Sequence, residues 1–129
     1  MEINVKVLED ALRKELHHGL GIFQQNERRL KINNQFLYPS EQPYNIILKK
    51  DGDRWFITDE GATINVLENY ALDSDFIKNK IHNVVVSRGL TIYKNEILIQ
   101  VQSLDKLIVY FSDYIKTMHD LLETMKIYI

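Results

Sequence analysis

The sequence contains no cysteine among its 129 residues. That absence excludes disulfide bonds, a thiol nucleophile, iron–sulfur clusters and cysteine-based zinc sites. Long apolar runs are also missing, whereas a membrane-spanning helix needs about 20 consecutive apolar residues. The first residues, Met1–Val5, lack the basic and apolar regions of a secretory signal. We therefore expect a cytoplasmic protein.

The sequence also lacks a large excess of charge of either sign, because 16 Lys and Arg nearly balance 18 Asp and Glu. The low net charge disfavours a strongly basic nucleic-acid binder, and the 45% hydrophobic content excludes a disordered chain. The length predicts a single domain over residues 1–129, since two separate cores would each be marginal. Three Ala against 16 Ile, 11 Lys and 10 Asn indicate AT-rich codons. Such a composition is typical of a low-GC bacterium or of a virus that infects one.

The apolar periodicity predicts a helix from Val5 to Leu20, ended by glycines. Alternation and short polar breaks predict strands joined by hairpins. These strands are Arg29–Leu37, Tyr44–Lys50, Arg54–Thr58, Thr91–Tyr93 and Ile97–Val101. Two further helices are predicted near Thr63 and after Ser74. The order predicts an α+β fold: an N-terminal helix (1–21), a mostly antiparallel sheet of four to five strands with a helical insertion (28–101), and a C-terminal helix (103–129).

The C-terminal segment has the most regular pattern. Apolar residues recur at spacings of four and three from Leu104 to Ile129, the heptad spacing of a helix with one apolar stripe. This stripe is about 39 Å long, whereas a strand of four to seven residues spans about 13–24 Å. We therefore expect part of the stripe to project beyond the sheet. The N-terminal helix is one candidate to cover it, and a second copy of this chain, in a homodimer, or another protein is the next. The interface candidates are Leu104, Leu107, Ile108, Phe111, Tyr114, Ile115, Met118, Leu122 and Met125.

The most distinctive motif lies between Lys49 and Ile64. An Asp51-Gly52 turn is followed by a strand and then by Thr58-Asp59-Glu60-Gly61. From about Phe36 to Val101 the chain resembles a bacterial family known as domain of unknown function 1828. Its members have a Lys-Asp-Gly turn and an Ile/Leu-Thr-Asp-Asp/Glu-Gly signature that leads into a helix. The resemblance implies a small cytoplasmic protein common in low-GC bacteria and their prophages, and it implies no reaction or cofactor.

The four acidic residues of this motif, Asp51, Asp53, Asp59 and Glu60, allow two interpretations. A metal-dependent nuclease would use such carboxylates to hold Mg²⁺ against a phosphate. Nuclease folds with a sheet of this kind also use a Glu-x-Lys or Asp-x-Lys pair, which does not occur in the sequence. The structural interpretation is that two of them shape a hairpin turn, while the other two bind free N–H groups at a helix start. We favour the structural interpretation and predict no catalytic residue, no metal site and no cofactor.

Six basic residues predict a second kind of surface: Arg28, Arg29, Lys31, Lys49, Lys50 and Arg54. On one sheet face, with Trp55, Tyr38 or Tyr44 exposed, they would neutralise phosphates and stack on bases. The alternative is an ordinary solvated sheet face, which the net charge favours.

Taken together, these patterns predict a non-catalytic interaction protein. By analogy, the family resemblance and the codon usage imply a phage- or prophage-encoded stoichiometric inhibitor or adaptor acting on a host defence protein. A metal-dependent nuclease or nucleic-acid-binding module is the alternative. A module that binds a small metabolite is the third hypothesis.

Overall fold

The computed structural model describes residues 3–70 and 74–126. Over these residues the chain forms four α-helices and a six-stranded sheet, which confirms the predicted α+β class. The elements are α1 (Val5–Glu15), β1 (Gly21–Asn26), β2 (Arg29–Asn33), β3 (Ile47–Asp51), β4 (Arg54–Thr58), α2 (Ala62–Asn69), α3 (Asp75–Ser87), β5 (Thr91–Tyr93), β6 (Glu96–Val101) and α4 (Leu107–Lys126). In this part of the chain no helix is long and apolar enough to cross a membrane.

All neighbouring strands of the sheet are antiparallel, in the order β1-β2-β3-β4-β6-β5. Strands β6 and β4 pair directly, with Ile99 opposite Ile57, and the chain between them forms α2, α3 and β5. Strands β1 and β5 are the two edges, while β3 and β4 lie at the centre. The signature segment that follows β4 is therefore held in the middle of the sheet.

Side chains alternate between the two faces of the sheet. The inner face carries the buried Leu30, Leu48, Ile57 and Ile97, which belong to the hydrophobic core with residues of all four helices. Helix α4 crosses this face, where the Tyr114 hydroxyl donates a 2.6 Å hydrogen bond to the Ile97 carbonyl. We call the opposite side the outer face. Its side chains are half-buried or exposed apart from the buried Ile47 and Thr58: Phe23, Arg29, Lys31, Lys49, Asp51, Arg54, Phe56, Thr91, Tyr93, Glu96, Leu98 and Gln100.

The sheet has one strand more than predicted, because β1 is a mostly polar edge strand with no marked alternation. Strand β2 is shorter than predicted and ends at Asn33. The next residue, Asn34, donates side-chain hydrogen bonds to the carbonyls of Ile32 and Tyr44 and accepts one from the Phe36 N–H. Such local bonds compete with the strand ladder, so the chain leaves the sheet at this point.

Candidate functional site

The predicted interface stripe on α4 lies mostly inside the core of one copy of the chain. Seven of its nine candidates are buried: Leu107, Phe111, Tyr114, Ile115, Met118, Leu122 and Met125. Only Leu104 and Ile108 remain half-buried. These seven side chains therefore pack within one copy of the chain, and contact with a partner stays a prediction for the stripe. The homodimer itself stays a prediction.

The rest of the chain covers the part of α4 that the sheet does not reach. Helices α1 and α3 contact α4 beside β4 and β6. Near the C-terminal half of α4, the loop of residues 34–46 adds a ring cluster in which the Tyr44 hydroxyl lies 2.9 Å from Nδ1 of His119. Burial raises the pKa of Tyr44 to about 12 and lowers the pKa of His119. Both groups are therefore neutral at pH 7, and their contact is a hydrogen bond between uncharged partners.

The acidic residues of the motif do not form one cluster. Asp51 and Asp53 flank Gly52 in the hairpin between β3 and β4, whereas Asp59 and Glu60 follow the other end of β4. The five residues of β4 span about 16 Å at strand geometry. Carboxylates so far apart cannot share one metal ion. In residues 3–70 and 74–126 no group of three or more His, Asp or Glu side chains is placed to hold a metal ion.

Asp59 points into the core and joins three elements. Its Oδ1 accepts hydrogen bonds from the N–H groups of Gly61 and Ile97, each at 3.0 Å, and its Oδ2 accepts one from Thr63 at 3.1 Å. The Asn45 side chain also donates to the Asp59 carbonyl at 2.9 Å. Burial raises the pKa of Asp59, although these hydrogen bonds partly oppose that effect. The residue binds the end of β4 to α2 and β6, as the structural interpretation predicts for a carboxylate before a helix.

Glu60 points the opposite way and forms a two-pronged ion pair with the Arg29 guanidinium. Arg29 is on β2, and Glu60 follows β4. Because β3 lies between these two strands, the ion pair crosses β3 on the outer face. Glu60 has a positive φ of 54°, held by a 2.9 Å hydrogen bond from its N–H to the Thr58 hydroxyl. The hydrogen bond from Arg29 and the charges of Arg29, Lys49 and Lys31 lower the pKa of Glu60. This carboxylate is therefore charged at neutral pH among three cations.

The ion pair brings the signature together with Arg28, Arg29 and Lys49 in one groove on the outer face, whereas Lys50, which also lines the groove, lies opposite Trp55 with its side chain towards the inner face. We call this groove, lined by Asn26, Glu27, Arg28, Arg29, Lys49, Lys50 and Glu60, the basic groove. The ammonium of Lys50 lies 5.9 Å from the centre of the Trp55 ring, so the remaining three cations minus the two carboxylates give the groove a net charge of +1. Arg29 is fully engaged, since it also donates to the Gln25 side chain. Within the described part of the chain, Arg28, Lys49 and Lys50 form no ion pair.

The remaining candidates of the basic surface lie outside this groove. Lys31 follows on the same face of β2, and Arg54 lies at the β3–β4 hairpin opposite Asp51. The three aromatic residues predicted to stack on bases are all buried: Trp55, Tyr38 and Tyr44. The aromatic residues of the outer face are others: the half-buried Phe56 opposite Lys49, the exposed Phe23 opposite Lys31, and the exposed Tyr93 on the edge strand β5. The sequence did not indicate them, because their exposure depends on strand register.

Comparison with known families decides the family of this chain. The model of the family described as Domain of unknown function DUF1828 matches residues 34–125. The chain belongs to the DUF1828 family. The match extends past Val101, where the resemblance in the sequence ends, through nearly all of α4. The matched range contains the signature and two groove residues, Lys49 and Lys50, whereas Arg28 and Arg29 of this DUF1828 chain precede the matched range.

No curated protein and no solved structure matches this DUF1828 chain.

Proposed function

We propose that the chain is a non-catalytic interaction protein that binds another protein through the basic groove. The observation that carries this proposal is the Arg29–Glu60 ion pair, which connects the family signature to the outer face. Beside it lie two cations without an ion pair in the described residues, Arg28 and Lys49. Charged groups at a rim of this kind set partner choice and association rate more than raw affinity.

The hydrogen bonds of Asp59 favour binding over catalysis. Its carboxylate accepts three hydrogen bonds from backbone N–H groups of the chain itself. A carboxylate used in this way stabilises the fold and is not free to bind a metal ion or a substrate proton. A double Asp59→Ala/Glu60→Ala change would therefore alter the fold as well as any activity, and it is unsuited to separating the two.

We further propose that the protein acts in the bacterial cytoplasm as a stoichiometric inhibitor or adaptor. The residue usage supports a low-GC bacterium or a phage or prophage of one, because Ile, Lys and Asn greatly outnumber Ala. A host defence protein is the target that we propose for such an element.

The homodimer is a separate proposal, now confined to a smaller surface. The two half-buried stripe residues, Leu104 and Ile108, line an apolar groove with Val7 and Leu8 of α1. Val7 is 63% exposed, so a second copy would remove apolar surface from water there. Mass measurement by light scattering at micromolar concentration tests this proposal, and a monomeric mass would contradict it.

Capture of the tagged protein from its own host, with and without nuclease, tests the proposed function. Two matched variants make the test specific: the groove variant Arg28→Gln/Lys49→Gln, and the control variant Lys106→Gln/Lys116→Gln. The control lysines are exposed, one just before α4 and the other within it. Both remove two positive charges. We expect one stoichiometric protein partner that survives nuclease, stays with the control variant and is lost from the groove variant. Retention of that partner by the groove variant would contradict the proposal.

A further inference from the structure

The basic groove already binds one carboxylate in a defined geometry. Both carboxylate oxygens of Glu60 accept hydrogen bonds from the two terminal nitrogens of Arg29, the fork-to-fork arrangement of strong charge-assisted pairs. The pair is only partly exposed, with 31% of the Arg29 and 25% of the Glu60 side chain accessible. The neighbouring Arg28 is exposed and Lys49 is half-buried. The groove therefore has room and charge for further carboxylates beside the one it holds.

Anionic groups of a partner are the natural complement of this net charge, but the pattern of charge distinguishes their source. Glu27 and Glu60 are interspersed among the cations of the groove, and Asp51 lies on the same face. A nucleic-acid strand has a phosphate at every nucleotide, so some phosphates would face these carboxylates. An acidic polypeptide can place neutral residues there and carboxylates only at the cations. Juxtaposed like charges cost affinity, which favours the polypeptide.

Aromatic side chains next to the groove add an apolar component. Phe56 is the cross-strand neighbour of Lys49. Phe23, which is 56% exposed, is the cross-strand neighbour of Lys31. A segment that combines acidic and apolar residues would pair with the lysines and cover these rings at once. Aromatic rings beside charged groups are typical of the residues that dominate protein interfaces.

We infer that the partner contacts the basic groove through an acidic polypeptide segment with carboxylates at Arg28 and Lys49. This inference rests on the proposed function and specifies the chemistry of its partner. Three fluorescein-labelled probes of equal length test it: poly-L-glutamate, poly-L-glutamine and oligothymidylate. Fluorescence anisotropy is measured with the full chain, the groove variant and the control variant.

We expect poly-L-glutamate to bind, poly-L-glutamine not to bind, and the affinity for poly-L-glutamate to fall with added salt. The groove variant should bind about tenfold more weakly than the control variant, since it loses two charge pairs with the probe. Oligothymidylate binding as tightly as poly-L-glutamate would overturn the inference in favour of nucleic acid. Equal affinity of the two variants, or no preference over poly-L-glutamine, would overturn it as well. The proposed function would survive those results if the captured partner still depended on the groove.

Discussion

Asp59 is the position at which a single substitution should affect the fold most clearly. The side chain is fully buried and accepts three backbone hydrogen bonds, two of them buried as well. Asp59→Ala removes the acceptor and leaves the N–H groups of Thr63 and Ile97 without a partner. An unsatisfied buried donor costs about 1–3 kcal/mol, so the two together cost about 2–6 kcal/mol. Burial of a charged carboxylate offsets part of this value, and we expect a loss of about 3 kcal/mol.

Asp59→Asn should cost less, about 1 kcal/mol. The amide oxygen still accepts from Gly61 and Ile97, while the amide nitrogen faces the Thr63 N–H. The pKa of Asp59 is raised in the folded state, so its carboxyl favours folding most when it is protonated. That contribution is complete below the unfolded-state pKa of about 3.9 and is lost as the pH rises through the folded-state value. The stability difference between the natural protein and Asp59→Asn should therefore shrink as the pH rises from about 4.

Urea unfolding followed by tryptophan fluorescence measures these changes, because Trp55 is the one tryptophan of the chain and is 8% exposed. Asp113→Ala is the control, since that carboxylate is exposed on α4; a surface change of this kind should stay within about 0.5 kcal/mol. An Asp59→Ala protein within about 1 kcal/mol of the control would refute the reasoning, because it would show that the three hydrogen bonds contribute little net stability.

Three further results are expected. Glu60→Gln should reduce stability at pH 7, and its difference from the natural protein should shrink as the pH falls from about 4.5 and vanish only below the folded-state pKa of Glu60, which Arg29 lowers; urea midpoints across pH measure this. Gly61→Ala should cost about 1–2 kcal/mol of stability, because alanine is strained at the φ of 85°. The added Cβ should not clash, since its nearest contact would lie 3.7 Å away, and a larger loss in thermal unfolding would indicate that it does. Met118→Asp should unfold the chain, whereas Ile108→Asp should leave its circular dichroism spectrum unchanged and alter only the mass in solution.

The sequence predicts the elements best where local signals are strong. The Asp51-Gly52 hairpin, the helix capped by Ser74 and the long α4 all appear in the structure, because turn chemistry, capping and periodicity are local properties. The Ser74 hydroxyl accepts a hydrogen bond from the Ile77 N–H, as expected of an N-cap. Strand β1 has no such signal, because it is an edge strand that pairs only with β2 and its polar residues show no alternation. Its place is set by β2, which no local pattern reveals.

The use of the α4 stripe is a tertiary property that periodicity alone does not give. Heptad spacing predicts that one side of a helix is buried, but not by which partner. Here the partners are α1, α3 and the loop of residues 34–46, whose Tyr44 reaches His119 across 75 positions of sequence. Comparing the length of the stripe with the length of a strand therefore overestimates the apolar surface that is left for a second chain.

The two adjacent carboxylates of the signature have different roles because the backbone turns between them. Asp59 continues from β4 into the core, and Glu60, in the left-handed region at a φ of 54°, directs its side chain to the outer face. Thr58 holds this turn by accepting a hydrogen bond from the Glu60 N–H. A change at Asp59 therefore alters the fold, whereas a change at Glu60 alters the ion pair in the basic groove. If the groove is the binding surface, partner binding should respond to Glu60→Gln at a pH and temperature where the protein remains folded, and loss of binding in Asp59→Ala should follow loss of folded protein.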